Sequence, residues 1–331
     1  MPRKLCARKG RERTGTSPVP TEIKPLIQVE QHKEVSALRQ TIANYVNLIK
    51  PHVTVLLLGI TVATMAIAKQ SFPSLWLVLA TLLGGVLAAG SANCLNCFID
   101  RDIDQIMGRT QRRSLPSGKV QPGQALIFGI ILGIASFIVF TAFVNLLSAV
   151  LAFAAILFYV FVYTLGLKRT TAQNIVIGGA AGAVPVLIGW AAVTNTVTLP
   201  AIWLFAIIFY WTPPHFWALA LLIEKDYEKA RIPMLPVLMG AKETRKQIFL
   251  YTLLLVAVTL MLFVLPHMMG YFYLFGAVIL GGIMIYMATR LLLDHTKTKE
   301  RARTMFWYTN CYLAAIFAIM VIDRIVFAGG L

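Results

Sequence analysis

Long apolar runs separated by short polar loops are the feature that most constrains how this chain can fold. The runs are roughly 20 residues long, which matches the hydrocarbon core of a bilayer. Hydrophobic residues make up 58% of the chain and charged residues only 13%. The runs lie near residues 52–70, 74–97, 123–142, 145–165, 173–194, 200–222, 247–266, 271–291 and 305–328. The pattern predicts an all-α, polytopic membrane protein, a bundle of about nine transmembrane helices.

Positive charge follows the expected membrane topology. The formal net charge is +16. Apart from Lys69 and Arg324, every Lys and Arg lies in residues 1–50 or in every second loop. Basic loops face the cytoplasm, or the matrix in a mitochondrion. The charge therefore indicates a lipid bilayer, and no nucleic acid, as the partner. We expect a multi-pass protein of the bacterial inner membrane with a cytoplasmic N-terminus, or of the mitochondrial inner membrane in a eukaryote.

The segment before the first apolar run is polar and rich in Lys and Arg. It predicts a disordered cytoplasmic tail over residues 1–45, followed by a transmembrane domain over residues 46–331. A mitochondrial transit peptide is the alternative interpretation, because residues 1–9 contain no acidic residue. Glu12 and Glu22, which follow soon after, argue against it.

Three polar residues recur every fourth position where the second span ends. Asn96, Asp100 and Asp104 drift by only about 40° per step on a helix, so they share one face. Carboxylates at that spacing repel one another unless a cation lies between them. Oxygen ligands suit Mg²⁺, which also binds substrate phosphates. The spacing predicts a Mg²⁺–diphosphate site at the cytoplasmic membrane surface. Asp102 points elsewhere and is either solvated or paired with an arginine.

Further polar residues follow other spans on the same predicted side. A second acidic cluster, Glu224 to Glu228, follows the sixth span, so two acidic patches could face each other across the bundle. Basic residues suit phosphate charge, and Asn174 lies within reach of the same site. The basic candidates are Arg109, Arg113, Lys168 and Arg169.

The sixth span contains the unusual string Trp211-Thr212-Pro213-Pro214-His215-Phe216-Trp217. Prolines remove helical hydrogen bonds, and a bundle interior tolerates this where other groups satisfy the backbone. An ionisable residue within a span is a functional candidate. His215, among three aromatic side chains, would line a cavity suited to a large flat ligand, although a packed, hydrogen-bonded histidine is the alternative.

Together these features predict prenyl transfer from an isoprenoid diphosphate. The apolar tail would lie in the bundle and the headgroup at the rim, where Mg²⁺ and basic side chains neutralise the departing diphosphate.

Cys94 and Cys97 have C-x-x-C spacing, but they lie inside an apolar span without a second Cys/His pair. We expect them to be small buried residues.

The motifs resemble the UbiA-type intramembrane prenyltransferases. Asn96, Asp100 and Asp104 look like the family's first aspartate-rich motif. The string around His215, with Ile232-Pro233-Met234-Leu235-Pro236 downstream, is similar to the branch of protohaem IX farnesyltransferases, or haem O synthases. The resemblance covers about residues 45–325. It implies a nine-helix bundle that transfers farnesyl from farnesyl diphosphate to a vinyl group of haem B.

The resemblance also implies roles by matching position. Asn96, Asp100 and Asp104 would hold Mg²⁺, with Asp100, Asp104 and Lys168 carrying catalysis. The diphosphate contacts would be Arg109, Arg113, Lys168 and Arg169, and the candidate haem contact is His215. From their positions in the sequence alone, we add Asn174 to the diphosphate candidates and Trp211, Phe216 and Trp217 to the haem-pocket candidates. The family's second D-x-x-x-D pair is incomplete, because Leu222 takes the place of the first aspartate. Asp226 alone remains as a metal ligand there.

Two other functions remain as alternatives. One is prenyl transfer to another aromatic or chlorin acceptor. The other is secondary transport, which would place charged residues near the bilayer midplane, whereas the acidic clusters lie at span ends. The resemblance further implies partnership with a haem A synthase or oxidase assembly factors. Whether His215 ligates iron or orients the porphyrin stays open.

Overall fold

The computed structural model describes residues 38–266, 268–294 and 296–327, and this part of the chain consists of helices joined by turns and loops, with no strand. Eight of its helices are long and apolar enough to cross a membrane, and nine spans result if a broken helix pair at the start counts as one. The predicted all-α bundle is therefore confirmed. Residues 1–37 lie outside the described residues, so the division into a tail and a transmembrane domain stays a prediction.

The helices follow one another with short connections, and two short helices lie between spans. They are α1 (Leu38–Ile49), α2 (Pro51–Lys69), α3 (Leu75–Ile99), α4 (Arg101–Ile106), α5 (Pro122–Phe143), α6 (Leu146–Leu157), α7 (Asn174–Thr194), α8 (Leu199–Leu222), α9 (Glu224–Lys229), α10 (Leu235–Val264), α11 (Tyr271–Leu293) and α12 (Thr298–Ile322). The fourth span continues beyond α6 as a π-helix over Phe158–Leu167, and α12 continues as one over Asp323–Phe327.

The break between α1 and α2 lies at Lys50. Its backbone is in the left-handed region, with φ 55°, and Pro51 begins α2. Proline is favoured at the first helical position because its fixed φ suits the helix and its missing N–H needs no partner there. The break turns the chain so that the Lys50 side chain reaches α3.

Small residues let α7 approach its neighbours closely. A Cβ added at Gly179 would lie 2.9 Å from Thr212 of α8, and one added at Gly189 would lie 2.6 Å from the backbone oxygen of Thr61 in α2. A Cβ at Gly182 would meet no atom within 4 Å. The small residues of α7 therefore serve two purposes: close helix packing and, at Gly182, open space inside the bundle.

The sixth span stays one continuous helix through both of its prolines. Helix α8 runs from Leu199 to Leu222, although Pro213 and Pro214 cannot donate backbone hydrogen bonds. In the turn before them, the Thr212 hydroxyl donates to the Ile208 carbonyl at 2.8 Å. Packing against α7, α10 and α12 on several sides holds the helix together. His215 is consequently presented from a rigid helical surface.

Candidate active site

The first aspartate row lies buried where α3 ends and α4 begins. Asn96, Asp100 and Asp104 are 5%, 2% and 4% exposed. The Asp100 N–H donates to the Asn96 carbonyl at 2.9 Å, and the Asp104 N–H donates to the Asp100 carbonyl at 2.8 Å. Helical hydrogen bonding thus continues across the junction and keeps the three side chains on one face. The Asn96 amide donates to Asp100 Oδ2 at 2.6 Å.

Basic side chains surround both buried carboxylates. Lys168 Nζ donates to Asp100 Oδ2, and Arg113 Nη1 donates to Asp104 Oδ2 at 2.9 Å. Lys168 follows the π-helix, whose wider turn is closed by its N–H donating to the Tyr163 carbonyl at 2.8 Å. Two of the four predicted basic residues therefore lie beside the aspartate row, and each of its carboxylates has a cationic partner.

Arg169 is occupied mainly by Asp102. Its Nη1 and Nη2 donate to the two Asp102 oxygens at 2.7 and 2.8 Å, and Nη2 stands 3.7 Å from Asp100 Oδ1. These hydrogen bonds lower the pKa of Asp102 and raise the pKa of Arg169. Of the two roles that the sequence left open for Asp102, the arginine-paired one is observed. Arg169 would have to exchange this partner to contact a diphosphate.

Lys50 is a further basic residue at the row, and the sequence reasoning did not single it out. Its Nζ donates to Asn96 Oδ1 at 3.1 Å, while the Asn96 amide also donates to Thr164 Oγ1 at 3.2 Å. Lys50 precedes the row by 46 positions. A lysine immediately before the proline that opens a span was the only local signal for it.

The second acidic segment approaches the turn that follows α4. The Asp226 carboxylate is half-buried and makes no hydrogen bond or ion pair with the described residues; a Cβ at Gly108 would lie 3.9 Å from its Oδ1. Arg109, next to Gly108, is exposed and likewise makes no ion pair within the described part. Burial raises the pKa of Tyr227, which also lies near Arg109 and Asp226, so its hydroxyl stays a neutral hydrogen-bond donor. Asp226 thus lies beside the segment that directly follows the first aspartate row.

Asn174 begins α7 beside these groups. It is 1% exposed, and its amide donates to the Lys168 carbonyl at 3.3 Å. Its Oδ1 accepts no hydrogen bond in the described structure. Asn174 therefore holds the backbone of Lys168 and keeps one oxygen available for a further partner.

The donor set fits a hard divalent cation. Asp100 Oδ1 is buried and accepts no hydrogen bond, which is costly for a carboxylate oxygen unless a cation binds it. Asn96 Oδ1 and the Asp104 carboxylate add oxygen ligands along the same face, and oxygen is what Mg²⁺ prefers. No group of three or more His, Cys, Asp or Glu side chains converges anywhere among the described residues, so the row itself offers two carboxylates and one amide oxygen.

An apolar cavity of about 520 Å³ lies among α2, α3, α6, α7, α8 and α12. This volume falls within the roughly 300–1,000 Å³ of small-molecule sites. Asn93, one turn from Asn96, lines it, as do Tyr159 and Tyr163 of the π-helix, whose rings stack 5.3 Å apart. Gly182 contributes open space to its wall. The cavity therefore adjoins the aspartate row through α3 and the π-helix.

His215 lines the same cavity on the α8 and α12 side. Its ring is stacked between Trp211 and Phe306, with centroids 4.3 and 4.6 Å away. Nδ1 lies 2.8 Å from Thr309 Oγ1, and the Trp211 indole donates to the Thr309 carbonyl at 2.7 Å. The histidine is thus both hydrogen-bonded and turned toward the cavity, which combines the two interpretations that the sequence offered.

The remaining aromatic candidates divide between two environments. Phe216 lines the cavity. Trp217 is 2% exposed, packs edge-on against Tyr251 and is not among the cavity-lining residues. Phe306 and Asn310 of α12 do line it, and the sequence reasoning missed them because it named no candidate in the ninth span. Cys94 and Cys97 are buried free thiols, as expected.

Comparison with protein families and curated sequences gives consistent matches. The model of the UbiA prenyltransferase family matches residues 56–310. The chain is 53% identical over 293 residues to the protoheme IX farnesyltransferase of Gloeobacter violaceus, covering 88% of this chain and 95% of that one. It is 50% identical to the same-named protein of Nostoc sp. over 286 residues, or 86% and 90% of the two chains. A same-named Roseiflexus sp. protein is 49% identical over 285 residues, or 86% of this chain, which spans only 53% of that longer relative.

Solved structures match in fold. A structure described as digeranylgeranylglyceryl phosphate synthase aligns with a TM-score of 0.72 at 20% identity, covering 86% of this chain and 99% of that one. A UbiA homolog from Archaeoglobus fulgidus bound to DMAPP and Mg²⁺ aligns with a TM-score of 0.59 at 15% identity, covering 84% and 99%. At these identities the likeness establishes the architecture alone.

Proposed function

This chain belongs to the UbiA prenyltransferase family, and from that premise we propose that it transfers the farnesyl group of farnesyl diphosphate to a vinyl group of haem B, giving haem O and diphosphate. One observation carries the proposal: a buried row of carboxylates ringed by cations adjoins an apolar cavity lined by His215. The names of the relatives at about half identity supply the acceptor and the prenyl donor.

The aspartate row and its cations would hold the diphosphate headgroup. Asn96, Asp100 and Asp104 would bind Mg²⁺, which supplies charge neutralisation of the departing diphosphate. Lys168 and Arg113, already at the row, would turn from the carboxylates to the phosphate oxygens, and Arg109 is exposed and unpaired among the described residues. A homologous structure with bound DMAPP and Mg²⁺ supports a divalent metal in this fold. Asp226 would add a ligand from the opposite side.

The cavity would keep water away from the reacting carbon. As the allylic C–O bond breaks, its electron pair leaves with diphosphate, and positive charge develops on the farnesyl carbon. Stacked Tyr159 and Tyr163 line the cavity and interact electrostatically with Asp100, so their π faces would stabilise this charge. The vinyl π electrons of the acceptor then form the new C–C bond before water reaches the farnesyl carbon. The positive charge passes to the vinyl carbon next to the porphyrin ring, where a water molecule adds and releases a proton to solvent, so that the charge balances.

The acceptor would lie against α8 and α12. Trp211, His215 and Phe216 are the sequence candidates that line the cavity, with Phe306 as a further flat surface. These groups suit a planar aromatic macrocycle better than a small phenolic acid, since the aromatic rings stack upon one another along one wall. Trp217 does not line the cavity and would affect this wall only indirectly, through its packing against Tyr251.

The orientation follows from the charge pattern. We expect the aspartate row to face the cytoplasm of a bacterial cell, or the matrix of a mitochondrion, because the basic loops lie at that end. Farnesyl diphosphate would then arrive from the compartment in which it is soluble, while haem enters through the bilayer. Product hand-over to a haem A synthase or oxidase assembly factors is consistent with a membrane-embedded product.

Acceptor identity can be tested directly with the purified full chain in lipid nanodiscs. We expect haem O when the protein is given farnesyl diphosphate, haem B and Mg²⁺, detected by chromatography and mass spectrometry of extracted haem. Parallel reactions offer hydroxybenzoate or a chlorophyllide in place of haem. Turnover of one of these acceptors without haem O would reject the haem assignment and leave another prenyl transfer. Release of no diphosphate with any acceptor would reject prenyl transfer itself.

Lys50 offers a second test of the headgroup site. Lys50, which reaches the aspartate row through Asn96, would also contact the diphosphate. We therefore expect Lys50→Met to raise the KM for farnesyl diphosphate about tenfold, because one charge-assisted contact contributes roughly 1.5–3 kcal/mol. The substitution also removes the hydrogen bond that the Lys50 amine donates to Asn96 Oδ1. Steady-state kinetics at varied farnesyl diphosphate and fixed haem B measure the change. Lys69, an exposed cation at the opposite end of α2, provides the control Lys69→Met. An equal effect of both substitutions would contradict the assignment.

A further inference from the structure

We infer that His215 is an axial ligand to the iron of the bound porphyrin, through its Nε2 atom. The inference rests on the proposed function, since it assumes that a haem occupies the cavity. It goes further by assigning a tautomer, a ligating atom and an orienting partner, Thr309. Two observations support it: the Thr309 hydroxyl makes two short contacts, and aromatic rings stack on both faces of the His215 imidazole.

The Thr309 hydroxyl fixes which ring nitrogen carries the proton. Its Oγ1 lies 2.7 Å from the Phe306 carbonyl and 2.8 Å from His215 Nδ1. A carbonyl can only accept, so the single hydroxyl proton belongs in the contact with Phe306. Without it, two oxygen atoms would face each other at 2.7 Å with no hydrogen between them. His215 Nδ1 must therefore carry a proton and donate it to Thr309.

A neutral imidazole with Nδ1 protonated has its lone pair on Nε2. That atom makes no hydrogen bond with any described residue, and it is not among the buried atoms left without a partner. Since the ring lines the cavity, the accessible side of Nε2 is the cavity side. A metal-binding nitrogen whose other nitrogen donates to an oxygen is the usual arrangement of histidine ligands.

Stacking prevents the ring from turning away. The planes of Trp211 and Phe306 lie within 17° and 24° of the imidazole plane on its two faces. Trp211 is in turn held by its indole N–H, which donates to the Thr309 carbonyl at 2.7 Å. Thr309 thus fixes both His215 and one of its stacking neighbours. The direction of Nε2 is set before any ligand arrives, as a ligating position requires.

The chemistry of the reaction also favours a ligand over a base. Positive charge develops on the prenyl carbon and the acceptor vinyl group, which lies at the porphyrin edge. An iron ligand holds the centre of the macrocycle and leaves its edge free, so the vinyl group can be presented without covering it. We expect binding, and hence KM for haem, to depend on His215 more strongly than on any other residue of this wall.

Spectroscopy of the full chain in nanodiscs tests the ligand without requiring turnover. Ferrous haem B bound to the wild type should give an iron–histidine stretching band in resonance Raman spectra. His215→Ala should lose that band and bind haem at least about tenfold more weakly, within the range of metal-site losses, and added imidazole should restore the band. Metal-free protoporphyrin should bind both proteins equally, which also shows that the variant is folded.

Thr309 supplies the matched pair of variants. Thr309→Val removes the acceptor of the Nδ1–H and should weaken haem binding about 10- to 100-fold, with a shifted iron–histidine band, whereas Thr309→Ser should keep both. If His215→Ala keeps both the iron–histidine band and the haem affinity of the wild type, His215 is not the iron ligand. The proposed transfer of farnesyl to haem would still stand. Absence of haem binding by the wild type would reject the proposed acceptor and the ligand together.

Discussion

Asp100→Asn is expected to lower kcat for farnesyl transfer about 100- to 1,000-fold at saturating Mg²⁺, the range for removing one group that stabilises developing charge. The amide keeps the size of the side chain but removes the negative charge at the centre of the aspartate row. It also leaves Lys168 without its carboxylate partner. The measurement is haem O formation over time, with the Mg²⁺ concentration for half-maximal rate determined in parallel and chelator added to the wild type as the fully inactive reference.

Asp102→Asn is the matched control, because it makes the same change two positions away. The Asp102 side chain is 60% exposed and points to Arg169. Exposed ion pairs contribute only about 0–1 kcal/mol, so we expect at most a severalfold change in kcat. Activity of Asp100→Asn within about threefold of the wild type, or an equal loss in both variants, would contradict the assignment of the row as the metal site.

Gly189→Ala is expected to destabilise the bundle by about 1–3 kcal/mol, as overpacking does in other close-packed interiors. The added Cβ would lie 2.6 Å from the Thr61 backbone oxygen. A backbone atom cannot move aside as a side chain can, so α2 and α7 must separate. Both helices line the cavity, and haem affinity should fall as well. The midpoint of thermal unfolding in detergent measures the loss of stability.

Gly182→Ala on the same helix controls for the helix propensity of alanine. Nothing lies within 4 Å of its added Cβ, and alanine is favoured over glycine in a helix by up to about 1 kcal/mol. This variant should unfold at the wild-type temperature or slightly above it. If Gly189→Ala unfolded at the same temperature as Gly182→Ala, the close approach of α2 and α7 would not be what stabilises this part of the bundle.

Patterns local in sequence predicted the helical spans and grouped the residues of the candidate aspartate row. Apolar runs give the spans because length and composition alone decide bilayer insertion. Asn96, Asp100 and Asp104 could be grouped because fourfold spacing puts them on one helix face. Lys168 and Arg113 followed from basic charge near span ends, and the structure brings both to the row.

The residues that were missed share a different property: their roles exist only through contacts between distant segments. Lys50 lies 46 positions from Asn96, and Thr309 lies 94 from His215. Threonine is common in spans as a backbone-bonding residue, so its sequence context did not distinguish Thr309. Trp217 shows the reverse, since it belongs to the specific string around His215 yet turns away from the cavity toward Tyr251. Adjacent residues of a helix project to different sides, and the string alone does not show which of its side chains face the cavity.

The ion pairs that join Arg113 to Asp104 and Lys168 to Asp100 also bear on how the enzyme releases its products. When an anion departs, the two cations need not be rehydrated, because each finds a carboxylate at contact distance. Loss of diphosphate is then an exchange of partners instead of the exposure of buried charge, whose cost would be several kcal/mol per ion. The enzyme can therefore hold a highly charged leaving group during the reaction without becoming trapped by it afterwards.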